Sequence, residues 1–256
     1  MLKISIITIN KNNIKGLKKT INSVLEQTFT NYEYIVIDGN SDDGSKKLIQ
    51  QYSSKIDYWI SEPDKGIYNA MNKGIERANG EYCLFLNSGD FLYNETALEE
   101  LLKSKPTADI VYTNQHRFGE KGERITTFPD ELTFYWLYTE YLPHNCTLFK
   151  RHLFDEIGLY SEEYKIISDW LFYLIALAKY NCSYRHEEMI LSSMEDGGIS
   201  NANEFHSQIH LEREKAITEH FQLFKRDYLE LYDRRYNHPF KRVKRIIKKL
   251  LFHKMN

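Results

Sequence analysis

The stretch Tyr82-Cys83-Leu84-Phe85-Leu86-Asn87-Ser88-Gly89-Asp90 decides how this chain folds. Its first five residues are apolar and read as a buried strand. The next four are turn formers, and they stop that strand abruptly. In α/β proteins ligands bind at the carboxyl ends of parallel strands. Asp90 therefore stands where a carboxylate could hold a metal ion on a phosphate.

Working outward, the same strand-then-turn grammar repeats. Residues 4–9 are apolar and β-branched, a first strand. Asn12 or Asn13 can cap a helix whose inner face is Leu17, Ile21, Val24 and Leu25. Tyr32 to Ile37 forms a second strand, ended by the turn cluster Asp38 to Ser45. A short helix with Leu48, Ile49 and Tyr52 follows, then a short strand at Tyr58-Trp59-Ile60. Gly66 to Ala78 reads as a helix, 95–103 as another, and Asp109 to Thr113 as a strand. Alternating strands and helices predict an α/β fold, with a mostly parallel sheet, helices on both faces and right-handed crossovers. Beyond Thr113 the pattern weakens. Residues 114–142 suggest an irregular β excursion and a helix, Asp169 to Tyr180 a helix, and 204–232 one long amphipathic helix.

Composition narrows the class. Forty-two per cent hydrophobic residues among 256 exclude a disordered chain. The 19 tyrosines suit polar clefts but equally a Tyr-rich core. Cys83, Cys146 and Cys182 are odd in number and widely spaced, so neither a disulfide framework nor a zinc pattern follows, and a reducing compartment is expected. The N-terminus lacks signal-peptide character, and no apolar run is long enough to span a bilayer. Residues 241–256 carry seven Lys or Arg and no acid, leaving 27 basic against 36 acidic groups on the rest. An acidic body argues against a nucleic-acid footprint. In the tail, Val243, Ile246, Ile247, Leu250 and Leu251 fall on one helical side. That basic amphipathic helix suits an anionic membrane surface, or it packs on the domain.

Several strand ends carry candidate chemistry. Thr8 and Asn10 close the first strand and Asp38 the second. Asp64-Lys65-Gly66 precedes a helix. Lys65 could neutralise phosphate, Gly66 could admit a close backbone approach, and Asp64 could cap the helix. Ser88 could bond a ribose or cap its turn. Asp169 precedes Trp170 at the start of a helix. His144 follows Pro143. Gly197 to Ser200 reads as a flexible loop.

Together these segments resemble the family 2 glycosyltransferases, which have the GT-A fold. The resemblance rests on Ser5 to Asn10 as the opening strand and Ser23-Val24-Leu25-Glu26-Gln27-Thr28-Phe29 as a helix end. It rests also on the loop Asp38 to Ser45, on Asn69 to Gly74 with Ala78-Asn79-Gly80-Glu81-Tyr82, and on Phe85 to Asp90 at the D-x-D position. The family often shows Asp-x-Asp-Asp there. This chain has Asn87 and Gly89 in place of two acids, so Asp90 is the remaining anionic ligand. Mg²⁺ commonly needs only one or two protein carboxylates plus substrate phosphates.

The resemblance implies an inverting transferase moving sugar from a nucleotide-diphosphate donor, a UDP-sugar, to a glycan or lipid-linked acceptor in cell-surface polysaccharide synthesis. It implies Mg²⁺ or Mn²⁺ on Asp90, and Thr8, Asn10, Asp38, Asp64, Lys65, Asn87 and Ser88 around the nucleotide sugar. Asp38 would accept from the base. Asp169 would be the general base, and His144 would lie near acceptor or diphosphate. Residues 1–115 would bind the donor and 116–202 the acceptor, with a helical extension at 203–240 and the tail at 241–256. A cytoplasmic enzyme, peripheral on the inner membrane face, is expected. Rival readings are a sugar nucleotidyltransferase on a related sheet and a nucleic-acid-binding protein using the tail.

Overall fold

Strand β1 (Ile4–Asn10) is buried at all seven positions. It pairs in parallel with β2 (Tyr32–Asp38) on one side and with β4 (Tyr82–Phe85) on the other. A strand covered on both faces has no polar side to present, which is why it reads as a continuous apolar run. The computed structural model describes residues 4–120, 122–196 and 205–236.

Alternation along the strands sorts the core into two layers. Ile4 and Ile6 of β1, Tyr34 and Val36 of β2 and Leu84 of β4 face the layer of Leu17, Ile21 and Val24 from α1 (Ile14–Leu25). Ile7, Ile9, Ile35, Ile37 and Phe85 face the other way, onto Met71 and Ile75 of α3 (Ile67–Arg77) and Phe172 of α7 (Ser168–Ala178). Each such buried side chain contributes about 1.5–3 kcal/mol relative to exposure.

Among the described residues the sheet has nine strands, in the order β3-β2-β1-β4-β8-β6-β9-β5, with β7 (Arg124–Thr126) paired to β6. β3 (Tyr58–Ser61), β2, β1 and β4 are mutually parallel. β8 (Thr147–Lys150) runs antiparallel between β4 and β6 (Ile110–Phe118), and β9 (Tyr184–Glu195) is parallel to β6. β5 (Phe91–Leu92) and β7 run against their neighbours. Six strands thus share one direction, as the sequence predicts, but the second half is mixed. The sequence reading contains neither β8 nor β9. It ends β6 at Thr113, whereas the strand runs on to Phe118 past a register shift at Asn114.

The helices α2 (Ser45–Tyr52), α4 (Ala97–Lys103), α5 (Phe134–Thr139) and α6 (His152–Glu156) complete the first compact unit, Met1–Ile209. The second unit is His210–Asn256. The single helix expected over 204–232 is in fact two, α8 (His206–His220) and α9 (Gln222–Tyr236). The chain leaves helical geometry at Phe221, whose ring is buried, and Lys225 pairs back across the break with Glu214 at 2.8 Å. The tail expected at 241–256 and the loop at 197–200 lie outside the described residues.

Two local devices hold the parallel half. The Glu33 carboxylate is buried between strands and accepts from Ser5 Oγ at 2.5 Å and from the Gly80 amide at 2.9 Å. A Cβ on Gly80 would lie 2.6 Å from the Ser5 amide nitrogen, so only glycine fits there. The three cysteines are free, and no described helix is long and apolar enough to cross a membrane.

Candidate active site

The carboxyl ends of β1, β2 and β4 open on the same edge of the sheet. At the second, the chain satisfies its own carboxylate. Asp38 Oδ1 accepts from Asn10 Nδ2 at 2.7 Å and from Ser41 Oγ at 2.6 Å. Its Oδ2 accepts from the Ser41 amide at 3.0 Å and from Ser61 Oγ at 2.7 Å. Burial pushes this carboxyl's pKa up, but the hydrogen bonds from Ser41, Ser61 and Asn10 outweigh it, and the net direction is down. Thr8, fully buried, accepts from the Tyr34 hydroxyl at 3.1 Å. Asn10 Oδ1 is buried with no hydrogen-bond partner.

The turn after β4 is sewn to β1 and α1. Leu86 and Ser88 amides donate to Ile7 and Ile9 carbonyls at 2.9 and 3.0 Å, extending the ladder past the strand. Asn13 caps α1, accepting from the Gly16 amide at 3.0 Å, and its amide donates to the Ser88 carbonyl at 2.8 Å. Thr20 Oγ1 accepts from the Gly89 amide at 3.0 Å and donates to the Asp90 carbonyl at 2.6 Å. Gly89 has φ +111°, in the region that favours glycine.

This geometry leaves the Asp90 side chain 8% exposed at the mouth of the strand. Burial raises its carboxyl pKa to about 6, while His144 and a hydrogen bond from Asn145 pull it down. Asn145 is in turn held by Gln115, whose Nε2 donates to Asn145 Oδ1 at 2.6 Å. No Lys or Arg side chain among the described residues pairs with Asp90. Nor do three His, Cys, Asp or Glu residues converge as a ready metal cage among them. The residues fit a divalent ion at one point of attachment. A buried anion whose charge is only partly compensated gains from a cation, and phosphate oxygens and water would supply the remaining ligands.

Asp169 enters from the second half of the sheet, in the first turn of α7. Its Oδ2 accepts from His144 Nδ1 at 3.1 Å, and its Oδ1 lies 2.8 Å from the Tyr68 hydroxyl. His144 sits in the 3-10 turn His144–Cys146, and its Nε2 is 3.1 Å from Asn87 Nδ2. The neutral imidazole with its proton on Nδ1 satisfies both contacts. The charged form would need the Asn87 amide turned, bringing its otherwise unpartnered, buried Oδ1 onto the Nε2 proton. Burial lowers the His144 pKa, but the neighbouring Asp169 carboxylate raises it more, with Asp90 adding in the same sense. For Asp169 burial acts upward, yet the bonds from His144 and Tyr68 win, and the net direction is down. Trp170 itself points away, its indole donating to the Leu137 carbonyl at 2.6 Å.

The structure thus joins Asn87, His144 and Asp169 in one hydrogen-bonded row, with Asp90 beside it, and joins Asn10 to Asp38. Asp64 lies near the second group. Its Oδ1 accepts from the Gly66 amide at 3.0 Å, and a Cβ on Gly39 would meet its Oδ2 at 2.1 Å. The helix N-cap is Gly66 rather than Asp64. Nothing crowds Gly66, so it is needed for its φ of +129° and not for a close approach. Lys65 is exposed. Neither Ser168 nor Asp169 caps α7; Ile167 holds that position. Sequence reasoning passed over Tyr68, Asn145, Gln115 and Thr20. Only the pairing of distant segments reveals them, although Tyr68 lies beside the Asn69–Gly74 motif.

The chain is similar to known proteins in sequence and in fold. Residues 5–166 match the Glycosyl transferase family 2 profile. An uncharacterized glycosyltransferase of Mycobacterium tuberculosis is 32% identical over 178 residues, 68% of this chain and 68% of that one. The crystal structure of S. aureus TarS 1-349 in complex with UDP-GlcNAc superposes with a TM-score of 0.64 at 20% identity, covering 78% of this chain and 60% of that one. A mannosyltransferase from Pyrobaculum calidifontis, in complex with GDP-Man and Mn²⁺, superposes with a TM-score of 0.58 at 13% identity, over 77% and 58% of the two chains. The architecture is that of the GT-A fold, and by the extent of the family match and the identity to a curated relative this chain belongs to the family 2 glycosyltransferases.

Proposed function

We propose that the chain is an inverting transferase that moves a sugar from a UDP-sugar to a hydroxyl of a glycan or lipid-linked acceptor in cell-surface polysaccharide synthesis. The observation that carries this reading is the row Asn87–His144–Asp169, which links the strand end beside Asp90 to a carboxylate from the other half of the sheet. Residues 1–115 would then bind the donor and 116–202 the acceptor.

In this reading Thr8, Asn10 and Asp38 line the base pocket, with Asp64 and Lys65 at its rim and Asn87 and Ser88 toward ribose and diphosphate. An unpartnered Asn10 oxygen and an Asp38 carboxylate held anionic both favour a ring that presents N–H, as uracil does. Asp90 is the protein ligand for Mg²⁺ or Mn²⁺. When bound, the ion supplies charge neutralisation for the diphosphate.

Asp169 takes the acceptor's hydroxyl proton. The acceptor oxygen bonds to the anomeric carbon as the bond to the diphosphate oxygen breaks, and UDP leaves with that electron pair. A carboxylate with a lowered pKa is ionised across the neutral range, so it is ready to accept the proton. His144 orients it, and lies where the diphosphate would approach. The basic tail would hold the enzyme to the anionic inner face of the membrane from the cytoplasm.

A screen of UDP- and GDP-sugars for Mn²⁺- or Mg²⁺-dependent nucleotide release tests the scheme. Release of nucleoside diphosphate with inversion at the anomeric carbon is expected. Release of pyrophosphate would replace it with nucleotidyl transfer, and the absence of any metal dependence would remove the role given to Asp90.

A further inference from the structure

One turn of α3 carries three polar side chains that neither nucleotide nor metal chemistry uses. All three reach into a single distant segment, 160–169. The Tyr68 hydroxyl lies 2.6 Å from the Ile166 carbonyl and 2.8 Å from Asp169 Oδ1. Asn69 Nδ2 donates to Glu162 Oε1 at 3.0 Å. Asn72 bonds the Tyr160 backbone twice, donating to its carbonyl at 2.8 Å and accepting from its amide at 3.0 Å. The helix is itself seated firmly. A Cβ on Gly74 would lie 2.4 Å from Ile7 Cγ2, so α3 rests directly on β1.

We propose that Tyr68 is a positioning residue for Asp169, and that Asn69 and Asn72 fix the segment which carries that carboxylate. The inference rests on the reading of Asp169 as general base. Within its own helix the Asp169 carboxylate is met by the Trp170 amide, and that one bond does not fix both oxygens. Two contacts from elsewhere do: Tyr68 on Oδ1 and His144 on Oδ2. A carboxylate has four lone-pair sites, and Tyr68, His144 and the Trp170 amide take three, so one remains for an acceptor hydroxyl. The tyrosine also couples the halves of the enzyme. It belongs to the donor half, while its ring packs on Tyr160 of the acceptor half, with centroids 5.6 Å apart, and its hydroxyl holds the base there.

Plain packing would predict that only the ring matters. Tyr68→Phe keeps the ring and removes the hydroxyl, so it separates the two. Tyr160→Phe is the control, because that hydroxyl is buried without a partner. The titratable groups facing Asp169 are His144 from the 3-10 turn, Tyr68 from α3, Tyr160 from the segment before α7, and Tyr173 from α7 itself.

The test is a carboxyl-¹³C NMR titration of the full chain, with the Asp169 signal assigned from Asp169→Asn, and UDP release from UDP-N-acetylglucosamine with Mn²⁺ measured alongside. In Tyr68→Phe the Asp169 midpoint should move up, because a donor to the carboxylate is lost. The acid limb of kcat should follow, and kcat should fall about ten- to hundredfold with donor KM unchanged. Tyr160→Phe should leave the midpoint where it was. An unmoved midpoint in Tyr68→Phe, beside an inactive Asp169→Asn, would overturn the tether alone. Turnover retained by Asp169→Asn would overturn the base and its tether together.

Discussion

Two aspartates stand at the carboxyl ends of strands on either side of β1 and live in opposite conditions. Asp38, after β2, is met by four donors from its own surroundings, and its carboxyl is held below the usual range. Asp90, after β4, is met by the Asn145 side chain, the Asn87 backbone and the field of a histidine, and burial lifts its carboxyl to about 6. The first carboxylate is compensated as folded. The second carries an anion that the protein does not fully compensate, and that deficit is what a bound cation would fill. Burial alone does not make an acid reactive; the balance between burial and donors decides which aspartate is already compensated and which favours a cation.

Four substitutions would break or sharpen this contrast. The largest effect is expected at a third carboxylate. Asp169→Asn should lower kcat by about a thousandfold while leaving UDP affinity unchanged, within the range that general base catalysis supplies. Steady-state kinetics with parallel calorimetry would show it.

Asp90→Asn should weaken Mn²⁺-dependent UDP binding about ten- to a hundredfold and also stabilise the metal-free protein. The sign follows from linkage. A folded pKa above the unfolded value means that the native state binds more protons between about pH 4 and 6. The acid therefore costs stability above that window, and the asparagine variant should gain up to about 3 kcal/mol at pH 7 and nothing below pH 3. Denaturation at the two pH values decides it, and a loss at pH 7 would refute the account of Asp90.

Asp38→Asn should do the reverse. Its depressed pKa contributes stability that is present above the unfolded pKa and lost as pH falls through the folded value. The variant should lose about 2 kcal/mol at pH 7, because an amide cannot accept from all four donors. Thr20→Val should cost least, about 1 kcal/mol, by freeing the Gly89 amide and the Asp90 carbonyl. Its informative readout is a weaker metal response than its stability loss would suggest.

The parallel half was legible because each of its signals is local. Apolar runs end in turn residues within the same ten positions, and α1, α3 and the turn at 87–90 can be read from consecutive residues. Asp90 and Asp169 were legible as residues, but the connections around them were not. Gln115 reaches Asn145 across 30 positions, Thr20 reaches Asp90 across 70, and Tyr68 reaches Asp169 across 101. No periodicity encodes such pairings. β9 was hidden for another reason. Its first half, Tyr184-Arg185-His186-Glu187-Glu188, is charged and only partly buried, so its alternation of polar and apolar residues is lost.

The place of β8 in the sheet has a consequence for how the chain comes into being. β4 finds its second neighbour only in Thr147–Lys150, more than sixty positions later. On the ribosome, β1 to β4 emerge well before that partner, with the backbone amide and carbonyl of Cys83 along an uncovered margin. Unpaired strand margins recruit other chains, and pairings between remote segments form slowly. Newly made protein should therefore pass through an interval of self-association that closes when β8 arrives, and slower translation beyond residue 90 would lengthen it.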